Sequence, residues 1–122
     1  MPCDAEVDLT LRRVKARASG IVTYDEIVAA RRKFTSDPNF RPDFSQLYDG
    51  RDVTRLALTA SEIAKLAAED TFGAASRRAF VAPTRETYAL MRLYQTYRQL
   101  NAGKEQIKLF SSILEAEAWL AG

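Results

Sequence analysis

Apolar and polar residues alternate in two runs near the N-terminus of the chain. Val7, Leu9 and Leu11 are separated by single polar residues, and in residues 13–19 every second residue is apolar. A period of two is typical of a strand that buries one face. The two runs fit either one long strand or a hairpin that turns at residues 9–12, and we favour the hairpin. Gly20 is predicted to end the second run.

The starts of four helices are marked by Ser or Thr residues. Thr23, Thr59 and Ser112 are each followed by Glu three positions later, and Thr84 follows Pro83. The Ser/Thr-x-x-Glu pattern is a capping box, in which the hydroxyl accepts a hydrogen bond from a backbone N–H of the first turn and the glutamate accepts one from the N–H of the cap residue. These caps predict helices over residues 23–35, 84–101 and 112–121, and one that begins at residue 59.

Three apolar segments between the predicted helices have the length of strands. Residues 44–48 are predicted to end in a turn at residues 49–52, residues 78–82 stop at a proline as a buried strand would, and residues 106–110 form the last strand. The order is therefore β(β)αβαβαβα. With right-handed crossovers it predicts an α/β fold with a mostly parallel sheet of four to five strands and an antiparallel edge strand at the N-terminus.

Length and cysteine content place the chain in a broad class. A chain of 122 residues fits a single domain over residues 1–122, and we expect residues 1–5 to be a frayed tail. The only cysteine, Cys3, lies in that tail, so no intrachain disulfide is predicted. No stretch approaches the ~20 apolar residues of a membrane span. We therefore expect a cytoplasmic protein with no membrane span.

The residue types that are missing argue against several kinds of chemistry. Histidine is absent, which removes the commonest general base and imidazole metal ligands. One cysteine cannot form a zinc or iron–sulfur site, and five scattered glycines form no phosphate-binding loop. Eighteen Lys and Arg against sixteen Asp and Glu give a net charge of +2, too balanced to indicate a nucleic-acid partner. The sequence predicts no cofactor and no enzymatic activity.

Two carboxylates at the predicted turn are weak candidates for a metal site. Asp49 and Asp52 flank Gly50 and Arg51 where a strand is expected to end, and two carboxylates at such a place can hold Mg²⁺. Asp-Gly is also an ordinary turn sequence, Arg51 supplies a counter-charge, and a third carboxylate is not evident. The turn is the favoured interpretation.

The long predicted helix at residues 84–101 carries more apolar side chains than one sheet-facing stripe needs. Met91 and Tyr94 lie on a face that adjoins this stripe, and Tyr88 lies on its flank. Tyrosine and methionine are enriched at interfaces, so we weigh a homodimer contact or a small apolar pocket equally with ordinary core packing. Arg77 and Arg78, just before the buried strand, are candidates to receive an anionic group.

Several segments together resemble a known fold family. They are Gly-x-x-Thr-Tyr-Asp-Glu at residues 20–26, Phe-Ser-Gln-Leu-Tyr-Asp-Gly-Arg-Asp-Val-Thr at 44–54, Thr-Ala-Ser-Glu at 59–62 and Ser-Arg-Arg-Ala-Phe-Val-Ala-Pro at 76–83. In this spaced pattern the chain resembles small bacterial SpoIIAA-like proteins of the STAS/SEC14 type from about residue 6 to residue 120. The resemblance implies strand and helix units wound around a sheet of four or five strands, and relatives that act by binding.

The resemblance also implies a place for a regulatory switch. In anti-sigma-factor antagonists of this type, a serine in an Asp-Ser-Ser-Gly motif at a helix start is phosphorylated to control partner binding. The matching stretch here is residues 59–62, where the expected acceptor falls on Ala60 and the acidic and glycine positions are lost. We therefore expect the usual phospho-switch to be absent, with Ser61 as the best candidate acceptor that is left.

Two hypotheses about function follow. The first is a non-enzymatic regulatory or protein-interaction module of STAS-like type, which forms a homodimer or docks on a protein partner through the start of the second helix and the flank of the long helix. The second, since SEC14-type relatives bind lipids, is a binder of a small apolar, acyl or lipid ligand in a pocket beneath the long helix. The residues proposed for the partner or ligand surface are Thr59, Ser61, Arg77, Arg78, Tyr88, Met91 and Tyr94.

Overall fold

The computed structural model describes residues 3–122, in which five strands and four helices follow one another in the predicted order. None of these helices is long and apolar enough to cross a membrane. The elements are β1 (Cys3–Asp8), β2 (Arg13–Thr23), α1 (Tyr24–Thr35), β3 (Ser45–Ala57), α2 (Ala60–Ala67), β4 (Arg77–Val81), α3 (Arg85–Leu100), β5 (Gln106–Phe110) and α4 (Ile113–Ala121).

The strands form one sheet in the order β1-β2-β3-β4-β5. β1 is antiparallel to β2, and the other neighbours are parallel. In the turn between β1 and β2, the Asp8 carboxylate accepts a hydrogen bond from Leu11 N at 3.0 Å, and Arg12 takes a left-handed φ of 51°. The predicted α/β fold, with its mostly parallel sheet and its N-terminal hairpin, is confirmed.

The expectation of a frayed tail is wrong for residues 3–5. β1 begins at Cys3 and pairs with β2 along its whole length. Cys3 and Ala5 face the core and are only 3% and 2% exposed, because the alternation seen from Val7 onward extends back to them. The first two residues of the predicted tail lie outside the described residues.

β2 and β3 are both longer than predicted. β2 passes through Gly20, which takes a positive φ of 64° at an irregularity in the pairing with β3, so the strand bends there without ending. β3 runs from Ser45 to Ala57, and the predicted turn at residues 49–52 lies inside it. Parallel pairing with β2 keeps this segment extended, against the local preference of Asp-Gly. The prediction that Asp49 and Asp52 lie at a strand end is therefore wrong.

Side-chain caps begin each helix where they were predicted. Thr23, Thr59 and Thr84 each form a reciprocal capping box, although the partner of Thr84 is Thr87 where the other two use glutamate. Ser112 accepts a hydrogen bond from the backbone N–H three residues later at 3.4 Å, and no return bond forms in the described part of the chain. All four helix starts are confirmed, but the full box at Ser112 is not.

The sheet separates two apolar cores. Successive strand residues point to opposite faces, so Tyr48 and Phe80 face helices α1, α2 and α3, whereas Leu47 and Ala79 face α4. The core beneath α3 is the larger of the two, and it contains the cavity described next.

Candidate functional site

A cavity of about 100 Å³ lies between the sheet and helices α1, α2 and α3. Alternate residues of β2, β3 and β4 form its floor, among them Ala16, Tyr48 and Phe80. Ala30 of α1 and Met91 of α3 belong to its roof. Most of the lining is apolar, so the space is suited to a small molecule with little polar surface.

The Tyr48 hydroxyl is the one buried side-chain polar atom without a hydrogen-bond partner within residues 3–122. Tyr48 lies on β3 opposite Ala16 of β2 and Phe80 of β4, and it lines the cavity. Burial, and to a smaller extent the nearby Cys3 thiol, raises the pKa of Tyr48 above its ordinary value. The hydroxyl therefore keeps its proton and is free to donate a hydrogen bond.

Arg78 is the charged group that β4 places in the cavity lining. Its Nε donates to Gln46 Oε1 at 2.8 Å, and its Nη1 donates to Tyr94 Oη at 2.9 Å and to Glu105 Oε2 at 2.8 Å. Aromatic rings surround the guanidinium, with the Phe72 centroid 4.6 Å from Cζ. These contacts hold the guanidinium in a fixed position and exclude water from it.

Glu105 joins Arg78 to a second buried arginine. Arg98 Nε and Nη2 donate to the two carboxylate oxygens of Glu105 at 3.0 and 2.9 Å, and Arg98 Nη1 donates to the carbonyl of Ala67 at the end of α2 at 2.8 Å. Burial raises the pKa of Glu105, but the hydrogen bonds from Arg98 and the charge of Arg78 outweigh it, and the pKa lies below its ordinary value. The network ties α3 to β4 and α2, and so fixes the roof of the cavity above its floor.

Three of the residues predicted for the ligand surface line this cavity together: Arg78, Met91 and Tyr94. Of the alternatives weighed for Met91 and Tyr94, core packing and a pocket fit the structure, and an exposed interface does not. Met91 is only 6% exposed and packs in the core, and Tyr94 is partly buried and bonded to Arg78. α3 covers two neighbours, the sheet and α2, so a wide apolar arc is needed to pack against both.

The remaining residues of the predicted surface lie elsewhere. Tyr88 is 47% exposed on α3 and does not line the cavity. Arg77 points to the opposite face of the sheet, where its Nη1 donates to the carbonyl of Trp119 at 2.9 Å. Thr59 and Ser61 are exposed at the start of α2, and the Thr59 hydroxyl is engaged in the helix cap.

Asp49 is occupied by a local ion pair. Its carboxylate accepts hydrogen bonds from Arg51 Nε at 2.9 Å and Nη2 at 2.8 Å, and these bonds hold the pKa of Asp49 below its usual value. Asp52 is exposed. In the part of the chain that the structure describes, no group of three or more His, Cys, Asp or Glu side chains is arranged to hold a metal ion.

Three residues that shape the site were not predicted from the sequence: Tyr48, Gln46 and Glu105. Gln46 and Tyr48 were readable as one face of β3, since they are two positions apart in a predicted strand. Their position opposite Arg78 and Phe80 depends on strand register, which one strand's pattern does not specify. Glu105 lies in the loop before β5, and nothing local distinguishes it from an exposed glutamate.

A solved structure shares this architecture. It is the structure of an uncharacterized protein from the DUF3478 family with a SpoIIAA-like fold, from Shewanella loihica PV-4. The superposition covers 88% of this chain and 83% of that chain, with a TM-score of 0.55 and 18% sequence identity. No family model and no curated protein sequence matches the chain. The chain has the SpoIIAA-like fold, as its sequence resemblance implied, and at this identity the likeness concerns the fold alone.

Proposed function

We propose that this protein is a binding protein with no enzymatic activity, and that it holds a small, largely apolar molecule in the cavity beneath α3. The observation that carries the proposal is the cavity, a partly open space of about 100 Å³ with a mostly apolar lining between the sheet and helices α1, α2 and α3. Concave spaces lined mainly by apolar side chains, with a few polar groups among them, are the usual sites for small ligands.

The unpaired hydroxyl reduces the stability of the protein. An unsatisfied buried group such as the Tyr48 hydroxyl costs about 1–3 kcal/mol, against the roughly 5–15 kcal/mol that stabilises a typical domain. The apolar side chains that face the space also lack packing partners on that side. A ligand that fills the space and accepts a hydrogen bond from Tyr48 offsets both costs.

The volume limits the size of the ligand. An apolar cavity of about 150 Å³ is large enough for benzene, whereas this one is about 100 Å³. A ligand of about six heavy atoms, such as benzene, must therefore be accommodated by a small movement of the lining. Met91 is suited to such movement because its unbranched side chain adopts many shapes.

Benzene is the simplest probe of the cavity. At ten times its Kd, a ligand that binds only the folded state adds about 1.4 kcal/mol to the free energy of unfolding, which raises the Tm by roughly 5 °C in a domain of this size. Ala30→Leu fills the cavity from α1 and is expected to abolish the rise. Ala29→Leu, the same change on the exposed side of α1, is the matched control and is expected to keep it.

The outcome is read from melting curves recorded against benzene concentration. A rise that is equal in Ala30→Leu and Ala29→Leu would place benzene outside the cavity, and no rise up to the solubility limit of benzene would leave the cavity without a ligand of this class. Either result contradicts the proposal.

A second candidate function is a regulatory or protein-interaction module. It is favoured by the SpoIIAA-like fold and by the exposed start of α2 at Thr59 and Ser61, with Tyr88 exposed on the neighbouring helix. This surface differs from the one predicted from sequence, because Met91 and Tyr94 are not part of it. If the module forms a homodimer through this surface, Tyr88→Glu should lower the mass measured by light scattering from that of a dimer to that of a monomer. A monomer mass for both the wild type and Tyr88→Glu would argue against self-association.

A further inference from the structure

We infer that the ligand carries a carboxylate, which accepts a hydrogen bond from the Tyr48 hydroxyl and lies in the positive field of Arg78. The inference rests on the proposed binding function and names the class of ligand: a monocarboxylate with a short branched or cyclic apolar body, about six heavy atoms in total. Three features of the cavity lead to it: an unused donor, the absence of acidic groups from its lining, and an excess of buried positive charge.

The unused donor is the Tyr48 hydroxyl. Its oxygen is buried, it has no partner within residues 3–122, and the side chain lines the cavity. The protonated hydroxyl can both donate and accept, and its O–H is satisfied by an acceptor on the ligand. A carboxylate oxygen is a stronger acceptor than a neutral carbonyl, and its hydrogen bonds are about twice as strong.

The charged residues of the lining are all basic. Arg31 and Arg78 contribute to it, and no Asp or Glu of residues 3–122 does. Arg31 Nη1 is paired with the exposed carboxylate of Glu69 at 3.0 Å, so its charge is compensated outside the cavity. A cationic ligand would meet only like charge here, whereas an anion would meet Arg78.

The buried cluster behind the lining carries a net positive charge. Arg78, Arg98 and Glu105 have side chains that are 5%, 3% and 1% exposed, which leaves two buried positive charges with one buried negative charge between them. Asp70, the other partner of Arg98, is 78% exposed and is screened by water. Charge interactions are stronger in a site that excludes water, so the excess favours an anion in the cavity.

Tyr48 and Arg78 line the same cavity, and both side chains lie near the Phe80 ring. The centroids of Tyr48 and Phe80 lie 5.9 Å apart, and Arg78 Cζ lies 5.3 Å from the Phe80 centroid. Apart from the two arginines, the two tyrosines and Gln46, the lining is apolar, which fits a hydrocarbon body and disfavours a phosphate or a sugar, since both need many more donors and acceptors.

The test compares three small probes at constant ionic strength and pH 7, with Kd values from ¹H–¹⁵N NMR titrations. They are 2-methylpropanoate, the charge-reversed 2-methylpropylammonium, and benzene as a probe without a strong acceptor. We expect 2-methylpropanoate to bind at least tenfold more tightly than 2-methylpropylammonium. In Tyr48→Phe, the Kd of 2-methylpropanoate should rise about tenfold, while the Kd of benzene stays within twofold and the Tm of the free protein does not fall.

The outcomes separate this inference from the function on which it rests. If benzene binds but 2-methylpropanoate binds no better than the ammonium ion, or if Tyr48→Phe leaves the Kd of 2-methylpropanoate unchanged, the carboxylate assignment is overturned and the apolar cavity stands as a binding site. If benzene does not bind, the proposed function is overturned, and if 2-methylpropanoate does not bind either, the carboxylate assignment is overturned with it.

Discussion

Replacing Glu105 by Gln is expected to destabilise the protein far more than any surface substitution. Glu105 is the only buried counter-charge that the described residues provide for Arg78 and Arg98, and it accepts three hydrogen bonds of 2.8–3.0 Å from them. Removing one partner of a buried ion pair costs about 3–5 kcal/mol, because it leaves uncompensated charge in the interior. Here two arginines lose their partner, so we expect the upper part of that range.

The assay is equilibrium unfolding in urea, supported by thermal melting. A loss of about 4 kcal/mol corresponds to a Tm lower by roughly 10–20 °C in a domain of this size. Asp70→Asn is the matched control, since it removes the other carboxylate on Arg98 from a position that is 78% exposed. An exposed pair is worth about 0–1 kcal/mol, so this variant should melt within a few degrees of the wild type.

The same network predicts a dependence on pH. The pKa of Glu105 in the folded state lies below its ordinary value of 4.5, so its stabilising effect is present above that value and is lost as the pH falls through the lower folded pKa. In Glu105→Gln, the free energy of unfolding should therefore depend less on pH below about pH 4.5 than it does in the wild type. If Glu105→Gln loses less than about 1 kcal/mol, the range expected for Asp70→Asn, the reasoning about buried charge is refuted.

Further changes test other parts of the structure. Gly50→Ala places a Cβ 2.6 Å from the carbonyl oxygen of Val81, so we expect the free energy of unfolding in urea to fall by about 1–3 kcal/mol. Gly73→Ala is the control and should be nearly neutral, because the nearest atom to its Cβ lies at 3.8 Å. Equal effects of the two substitutions would contradict the close approach of β3 to β4. Thr59→Ala removes a capping box and should cost about 1 kcal/mol, while Ser61→Ala in the same turn should change stability by less than about 0.5 kcal/mol. Burial raises the pKa of Cys3 to about 11, so alkylation of its thiol at pH 8 should be slow in the native protein and fast in urea. If the native protein reacts as fast as the protein in urea, β1 is not held on the sheet.

The order of the elements was predictable from the sequence because its signals are local. A capping threonine such as Thr23 or Thr59 meets partners within three residues, and the alternation in β2 reports directly which face is buried. The predictions that were wrong concern long-range pairing. The Asp-Gly pair at residues 49–50 has the sequence of a turn, but pairing with β2 keeps it in a strand.

The candidate site was predictable only in part, for the same reason. A pocket beneath the long helix was one of two open hypotheses. Helical periodicity and residue type indicated Met91 and Tyr94 for it, and Arg77 and Arg78 were the candidates to receive an anionic group; the structure places Arg78 in the lining. The importance of Tyr48 lies in what is missing around its hydroxyl. Such an absence is a property of the packed structure and leaves no mark on the sequence.

Intermolecular NOEs between bound benzene and methyl groups of the protein are the most direct test of the central claim, that the cavity beneath α3 binds a small apolar molecule. The methyl groups of Ala16, Leu56 and Met91 line the cavity and are buried, so we predict NOEs from benzene to all three. NOEs confined to exposed side chains such as Leu100 and Leu114, or none at saturating benzene, would contradict the account.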